Sequence, residues 1–176
     1  MSVLRQLEVS DALALTELVQ RNRAYLQPWE PVRGDDYFTV VGQRETVAHS
    51  LSHQAAGLGH CWVILDESGS VAGRINLNNI VRGPFQSASV GYWLSEDACG
   101  RGIATRAVVE VAELAFGRLR LHRLEAGTIP ENHRSQAVLR RAGFERFGYA
   151  VGYLNIAGRW RDHLLFQRIS DHAVDA

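Results

Sequence analysis

Cys99-Gly100-Arg101-Gly102-Ile103-Ala104-Thr105 is the stretch on which the reading of this chain turns. Two glycines flank an arginine, and a helical pattern starts at once. Apolar residues recur at Ala107, Val111 and Leu114, with Val108 and Ala115 beside them. Steps of three and four mark one face of a helix over residues 103–117. Arg106, Glu110 and Glu113 take the other face. A glycine turn that opens into a helix leaves the first backbone N–H groups without partners and turns the positive end of the helix dipole outward. Such a turn binds anions, phosphate above all. The first expectation is a phosphorylated ligand gripped in mid-chain.

Working outward, residues 87–94 read as a strand, with Val90, Tyr92 and Leu94 alternating against Ser89, Gly91 and Trp93. Residues 61–65 and 71–80 form a hairpin around Asp66-Glu67-Ser68-Gly69-Ser70, and Gly83-Pro84 turns the chain again. Residues 3–8 predict a first strand. Ser10 is placed to cap a helix over residues 11–23, whose Leu15, Leu18 and Val19 share a face. The prolines and aromatics of Tyr25-Leu26-Gln27-Pro28-Trp29-Glu30-Pro31 predict a loop. Residues 42–56 predict a second, less apolar helix. Downstream come a strand at 121–126, a short helix at 132–142 closed by Gly143, and strands at 144–154 and 161–168 turned by Gly158.

The order is β-α-α-β-β-β-α-β-α-β-β. Strands joined by short turns pair antiparallel, whereas the strand–helix–strand unit over residues 87–126 is long enough for a parallel crossover. The fold class is α/β (in arrangement α+β), with a mixed sheet. Residues 1–170 read as a single domain and 171–176 as a flexible tail.

A chain of 176 residues with 46% hydrophobic content can bury a real core. The net charge is zero, which gives no electrostatic footprint for nucleic acid or a membrane surface. No run approaches the ~20 apolar residues of a membrane span, and residues 2–8 hold no signal-like apolar core. All 19 cationic residues are arginine, so a lysine nucleophile or Walker-type lysine is excluded. Cys61 and Cys99 fit no CxxC pattern and point to a reducing, cytoplasmic compartment. His49 and His53 lie four apart with no third ligand in view, so they read as a surface pair and no metal is expected.

Together these stretches resemble a known family. Residues 99–104 are similar to the Gln/Arg-x-x-Gly-x-Gly/Ala signature of the GNAT acetyltransferases, with Tyr92-Trp93-Leu94 just upstream. Asn132-His133-Arg134-Ser135, followed by Gly143-Phe144, resembles the Asn-x-x-Ser…Gly-Phe block of the branch that includes the RimJ/RimL-type ribosomal-protein N-terminal acetyltransferases. Tyr25-Leu26-x-Pro28-Trp29 and Gly158-x-Trp160-x-Asp162 are similar to the same branch. Each motif alone is weak; their order and spacing over nearly the whole chain carry the likeness.

The resemblance implies a GNAT fold, a mostly antiparallel, splayed sheet with helices on both faces. It implies acetyl-CoA as co-substrate, without a metal. Cys99, Gly100, Arg101, Gly102, Ile103, Ala104 and Thr105 would surround the pyrophosphate, with the glycines letting the backbone approach. Tyr92, Trp93 and Leu94 would carry the pantetheine arm, and a backbone N–H near Trp93 or Leu94 would polarise the thioester carbonyl. Asn132 and Ser135 complete the cofactor set. The acceptor it implies is an amine, either a protein N-terminus or a small amine such as an antibiotic or polyamine. A homodimer follows by analogy only.

Two departures stand out. Cys99 occupies a position where the family usually has Gln or Arg. Leu139 occupies the place of a tyrosine that acts as general acid in many members, and Ser135 is the substitute the resemblance suggests. Glu125 is the candidate base, or else a surface residue. Tyr25, Trp29, Tyr153 and Trp160 are candidates for the acceptor cleft, or else ordinary core or surface aromatics. Asp162 either attracts the cationic amine or pairs with Arg159 or Arg161. Asn132 also suits a helix cap, Ser135 a first-turn bond to Asn132, and Gly143-Phe144 a helix stop and core aromatic.

Two other functions compete. Gly100-x-Gly102-x-x-Thr105 partly matches GxGxxG, with Glu125 about 20 residues on, as in a dinucleotide-binding oxidoreductase. The motif follows antiparallel strands, however, and too little chain remains for a doubly wound sheet. A non-catalytic acyl-CoA-binding protein with the same fold is the other reading, motivated by Cys99 and the missing tyrosine.

Overall fold

The computed structural model describes residues 2–171. The expected tail at 171–176 lies, apart from Asp171, outside them. Seven strands form one sheet in the order β1-β2-β3-β4-β5-β7-β6. They are β1 (Leu4–Gln6), β2 (His60–Leu65), β3 (Val71–Val81), β4 (Ser87–Leu94), β5 (Arg123–Thr128), β6 (Glu145–Ile156) and β7 (Arg159–Ile169). Five helices join them: α1 (Ala12–Arg21), α2 (Arg23–Leu26), α3 (Val40–Ala55), α4 (Ile103–Gly117) and α5 (His133–Arg141).

Helices cover both faces, as expected. Strand alternation sends Ile64, Ile75, Leu77 and Leu124 to one face, where they pack with Ile103, Ala107, Val111 and Leu139 of α4 and α5. It sends Cys61 and Val63 to the other, against Leu15 of α1 and Val47 of α3. Only β4 and β5 run parallel. They pair over just three residues, Ser87–Ser89 with Arg123–Glu125. Beyond Ser89, β4 keeps its β3 neighbour as far as Leu94 but has none on the β5 side. The sheet is therefore splayed into a V, and alternate backbone groups of β4 face the gap.

Local chemistry corrects three expectations. Ser10 does not cap the first helix. The Asp11 carboxylate accepts from the Glu8 backbone N–H at 2.8 Å, and Ser10 Oγ donates to Glu8 instead. A 3-10 turn over Val9–Asp11 therefore precedes α1. The expected loop at residues 25–31 is partly helical: α2 runs into a 3-10 turn over Gln27–Trp29. Pro28 fits there because the opening of a helical turn needs no donor from it. The strand expected at 121–126 lies two residues later, at Arg123–Thr128. Arg120 takes positive φ, and Leu121 drops into the core with its N–H bonded to Ala115 O. Ala157 and Gly158, at φ of 50° and 81°, make the tight turn between β6 and β7.

Candidate active site

A cleft of about 980 Å³ opens where β4 leaves β5. Its floor is Tyr92, Trp93 and Leu94 of β4. One wall is the glycine turn with the start of α4, and the other is one face of α5 from His133 to Arg141. Tyr25 and Trp29 stand at the mouth.

The glycine turn is built as an anion cradle. Gly100 and Gly102 sit at φ of 80° and 76°, in the left-handed region. Gly102 is the N-cap of α4, and no side chain caps that helix. The contrast is local. Thr39 caps α3 through the Gly42 N–H, and Asn132 caps α5 through the Ser135 N–H at 3.0 Å. The opening N–H groups of α4 thus face the cleft without an intrahelical acceptor. Thr105 Oγ1, at the same helix start, is buried without a hydrogen-bond partner. An uncapped helix end, two glycines that leave the backbone of the turn open and an orphaned hydroxyl together fit the pyrophosphate of a coenzyme A thioester.

Of the residues expected to hold the cofactor, Tyr92, Trp93, Leu94, Cys99, Gly100, Gly102, Ile103, Ala104, Thr105, Asn132 and Ser135 all line the cleft. Arg101 does not. Ser135 is more than a first-turn residue: its Oγ lies 2.9 Å from the Tyr92 hydroxyl. Burial pushes that phenol up to about 12, the Ser135 bond opposing. The thiol of Cys99 lies 3.3 Å from the Tyr25 hydroxyl and 3.4 Å from the Ser95 carbonyl oxygen. Burial, then the Cys99 contact, raises the Tyr25 phenol above its usual range.

Tyr25 and Trp29 reach the cleft; the other acceptor candidates do not. Tyr153 packs its ring 5.3 Å from that of His163. Asp162 pairs with neither Arg159 nor Arg161. It accepts from the Tyr149 hydroxyl and the Gly152 N–H, and the Tyr149 bond holds its carboxyl below the usual range. Trp160 is exposed on the β6–β7 hairpin. Glu125 also lies outside the cleft, its carboxylate accepting from Arg123 Nε at 2.6 Å. It alternates with the core residues Leu124 and Ala126, so it faces away from α4 and α5. Leu139, where many GNAT members carry a tyrosine, is wholly buried in the core.

Sequence reasoning missed Arg134, Val138 and Arg141, which line the cleft from α5. Their i, i+4, i+7 spacing is one helical face, a signal that was legible. Two of the three are cations, suited to a phosphorylated ligand.

The dinucleotide reading does not survive. The glycine turn follows the antiparallel strands β3 and β4, and the would-be ribose acid is held by Arg123.

Comparison with known proteins agrees. The family model for the acetyltransferase (GNAT) domain matches residues 2–145. The chain is 38% identical over 160 residues to the probable N-acetyltransferase YjcK of Bacillus subtilis, covering 90% of this chain and 88% of that protein. It is 32% identical over 164 residues to the ribosomal protein uS5-alanine N-acetyltransferase of Escherichia coli, covering 93% and 84%. Mycobacterium smegmatis RimJ in complex with CoA-disulfide superposes with a TM-score of 0.91 at 32% identity, covering 96% of this chain and 81% of that one. The chain belongs to the GNAT acetyltransferases, on their RimJ/RimL side, as an acetyl-CoA-dependent N-acetyltransferase.

Proposed function

We propose that the acceptor is the N-terminal α-amine of a protein or peptide, and that the reaction takes place in the cytoplasm. The observation that carries this reading is the mouth of the cleft. Tyr25 and Trp29 border it, Trp29 is 38% exposed, and beyond them the cleft is open to solvent. Such a mouth admits the end of a chain, whereas a small amine calls for a pocket that encloses most of its surface. The likeness to an enzyme named as a ribosomal protein uS5-alanine N-acetyltransferase supports the same class.

Bound acetyl-CoA supplies an activated acetyl group. The chain supplies the rest. The start of α4 anchors the pyrophosphate through its opening N–H groups, and Arg134 and Arg141 add positive charge. Alternate N–H groups of β4, released from β5 beyond Ser89, face the gap and stabilise negative charge developing on the carbonyl oxygen. An α-amine, with a pKa of about 7.7–8.0, is partly neutral at neutral pH and needs little help to lose its proton. Ser135 Oγ, held over the cleft by the Asn132 cap, donates a hydrogen bond to the leaving sulfur.

Ser135→Ala is expected to lower kcat by about 10- to 100-fold while acetyl-CoA affinity stays within about twofold. Unchanged turnover would remove Ser135 from the chemistry. The acceptor is tested by incubating the enzyme and acetyl-CoA with peptides copied from ribosomal-protein N-termini, the same peptides blocked at the α-amine, and a panel of polyamines and aminoglycosides. Mass spectrometry should find one acetyl group on the free peptides and none on the blocked ones. A small amine with a higher kcat/KM than every peptide would overturn the reading.

A further inference from the structure

Tyr92 comes from the free half of β4 and Ser135 from the first turn of α5, yet their hydroxyls meet at 2.9 Å. The same phenol lies 3.2 Å from the Ser135 carbonyl oxygen. The Ser135 N–H is already taken by Asn132, so the cap makes no use of the serine hydroxyl. Two hydroxyls own two protons, and one of these lies between the two oxygens. If Ser135 supplied it, Ser135 would have none left for the cleft, and Tyr92 would turn its own to the carbonyl. If Tyr92 supplies it, the Ser135 proton is free to point into the cleft.

Burial keeps the Tyr92 phenol protonated throughout the neutral range, since it titrates near 12. A free thiol titrates near 8.5. The phenol therefore remains a donor while a thiolate forms beside it. Leu139 is locked in the core, so α5 offers no tyrosine from that position. The phenol that meets Ser135 comes from β4 instead.

We propose that Tyr92 is a positioning residue for acetyl transfer: its hydroxyl donates to Ser135 Oγ and holds the Ser135 proton toward the leaving sulfur. This rests on the reading of Ser135 given above. In the step itself the amine nitrogen bonds the acetyl carbon, the carbon–sulfur bond breaks, and its electron pair goes to sulfur. The proton lost by the amine goes to solvent or to that sulfur. Tyr92 and Ser135 both end the step protonated; they supply hydrogen bonds to the departing charge. Two donors in series strengthen each other where they are partly withdrawn from water, as the Tyr92–Ser135 pair is.

The test combines Tyr92→Phe, Ser135→Ala and the double variant. Turnover of an acceptor peptide is read beside calorimetric binding of CoA and of desulfo-CoA, which lacks the thiol, at a pH where the thiol ionises. Tyr92→Phe is expected to lower kcat about tenfold with KM for acetyl-CoA within about twofold. The double variant should be no slower than Ser135→Ala alone, because one unit has been removed once. The preference of the protein for CoA over desulfo-CoA should shrink several-fold, by a similar factor, in all three variants. Wild-type kcat and wild-type preference in Tyr92→Phe, with Ser135→Ala impaired in both, would overturn the role of Tyr92 and leave that of Ser135 standing. Independent, multiplying losses would also overturn it, since they describe two residues acting separately. If Ser135→Ala is itself normal in both readouts, the Ser135 reading fails and the proposal falls with it. Desulfo-CoA binding is the control for folding: it should be the same in every variant, and a variant that has lost its structure loses it too.

Discussion

The two halves of the cleft are made in different ways. The donor half is core turned outward. Ile103, Leu94 and Leu139 are buried at its back, and the residues facing the ligand are neighbours of those core positions. The half proposed for the acceptor has one buried lining residue, Leu26, and is otherwise held by surface contacts. Trp29 follows α2 on a short 3-10 turn, and beyond it lie exposed pairs such as Arg23–Asp35 and the stacking of Arg33 over Tyr37. A hydrogen bond from Ala157 N–H to Glu30 O ties that segment to the β6–β7 turn. On that hairpin Val151 and Trp160 are 80% and 69% exposed. A site fixed by the core cannot change without unfolding the sheet, whereas one fixed by exposed contacts can be re-cut at little cost. The donor half therefore suits one cofactor, and the acceptor half can change at little cost to the fold.

The largest effect expected from this contrast is at Gly102. It sits at φ of 76° with open space around a built Cβ, so Gly102→Val strains the backbone without clashing. Left-handed φ costs an L-residue roughly 1–2 kcal/mol, more when β-branched, and here it also turns the opening N–H groups of α4. Acetyl-CoA affinity should fall at least about tenfold by calorimetry. Gly152 is the matched control: φ of 55°, equally open, but on β6, in the hairpin that lies outside the cleft and touches the acceptor segment only through the Ala157–Glu30 hydrogen bond. Gly152→Val should leave acetyl-CoA affinity within about twofold. Equal losses in both variants would break the distinction between the halves.

The same division decides what was readable. The donor half was legible because it uses backbone chemistry with few alternatives. Glycines before a helix, a strand ahead of them and a capped helix after them fix both fold and ligand class. The boundaries of β4 and α4 came out as read, at Ser87–Leu94 and Ile103–Gly117. The acceptor half was not, because it depends on where side chains point after long-range pairing. Asp162 reads as an amine attractor or a partner of Arg159 or Arg161, and is neither, because β6 brings Tyr149 and Gly152 to it across the hairpin. Tyr153 and Glu125 were likewise claimed by His163 and Arg123, one from a cross-strand neighbour and one from its own strand. The Tyr92–Ser135 contact joins residues 43 positions apart, and no local spacing announces it.

A moderate effect is expected at Trp29, which borders the mouth but not the pyrophosphate cradle. Trp29→Ala should raise KM for an acceptor peptide about five- to tenfold, the loss of one half-exposed aromatic contact. Acetyl-CoA affinity should not move. Loss of both affinities would show the 3-10 turn over Gln27–Trp29 to be structural for the whole cleft, and the two halves would then be one.

The smallest effect sharpens the contrast through pH. His163, on β7, is 4% exposed, with Nδ1 3.0 Å from the Arg161 carbonyl oxygen. Burial holds its pKa below the ordinary value near 6.5, the Arg161 carbonyl opposing. The unfolded chain therefore takes up this proton before the folded one does as pH falls. The sign follows: stability is complete above about pH 6.5, declines as pH drops toward the folded value, and levels off below it. His60 on β2, lowered by its own burial, acts in the same sense, while Glu30, raised by burial, acts oppositely. The wild-type Tm should fall between pH 7 and pH 5.5. His163→Gln should start lower, since a buried ring is lost, but give a flatter profile over that interval. An unchanged slope would assign the pH dependence to His60 on β2 rather than to the β6–β7 hairpin.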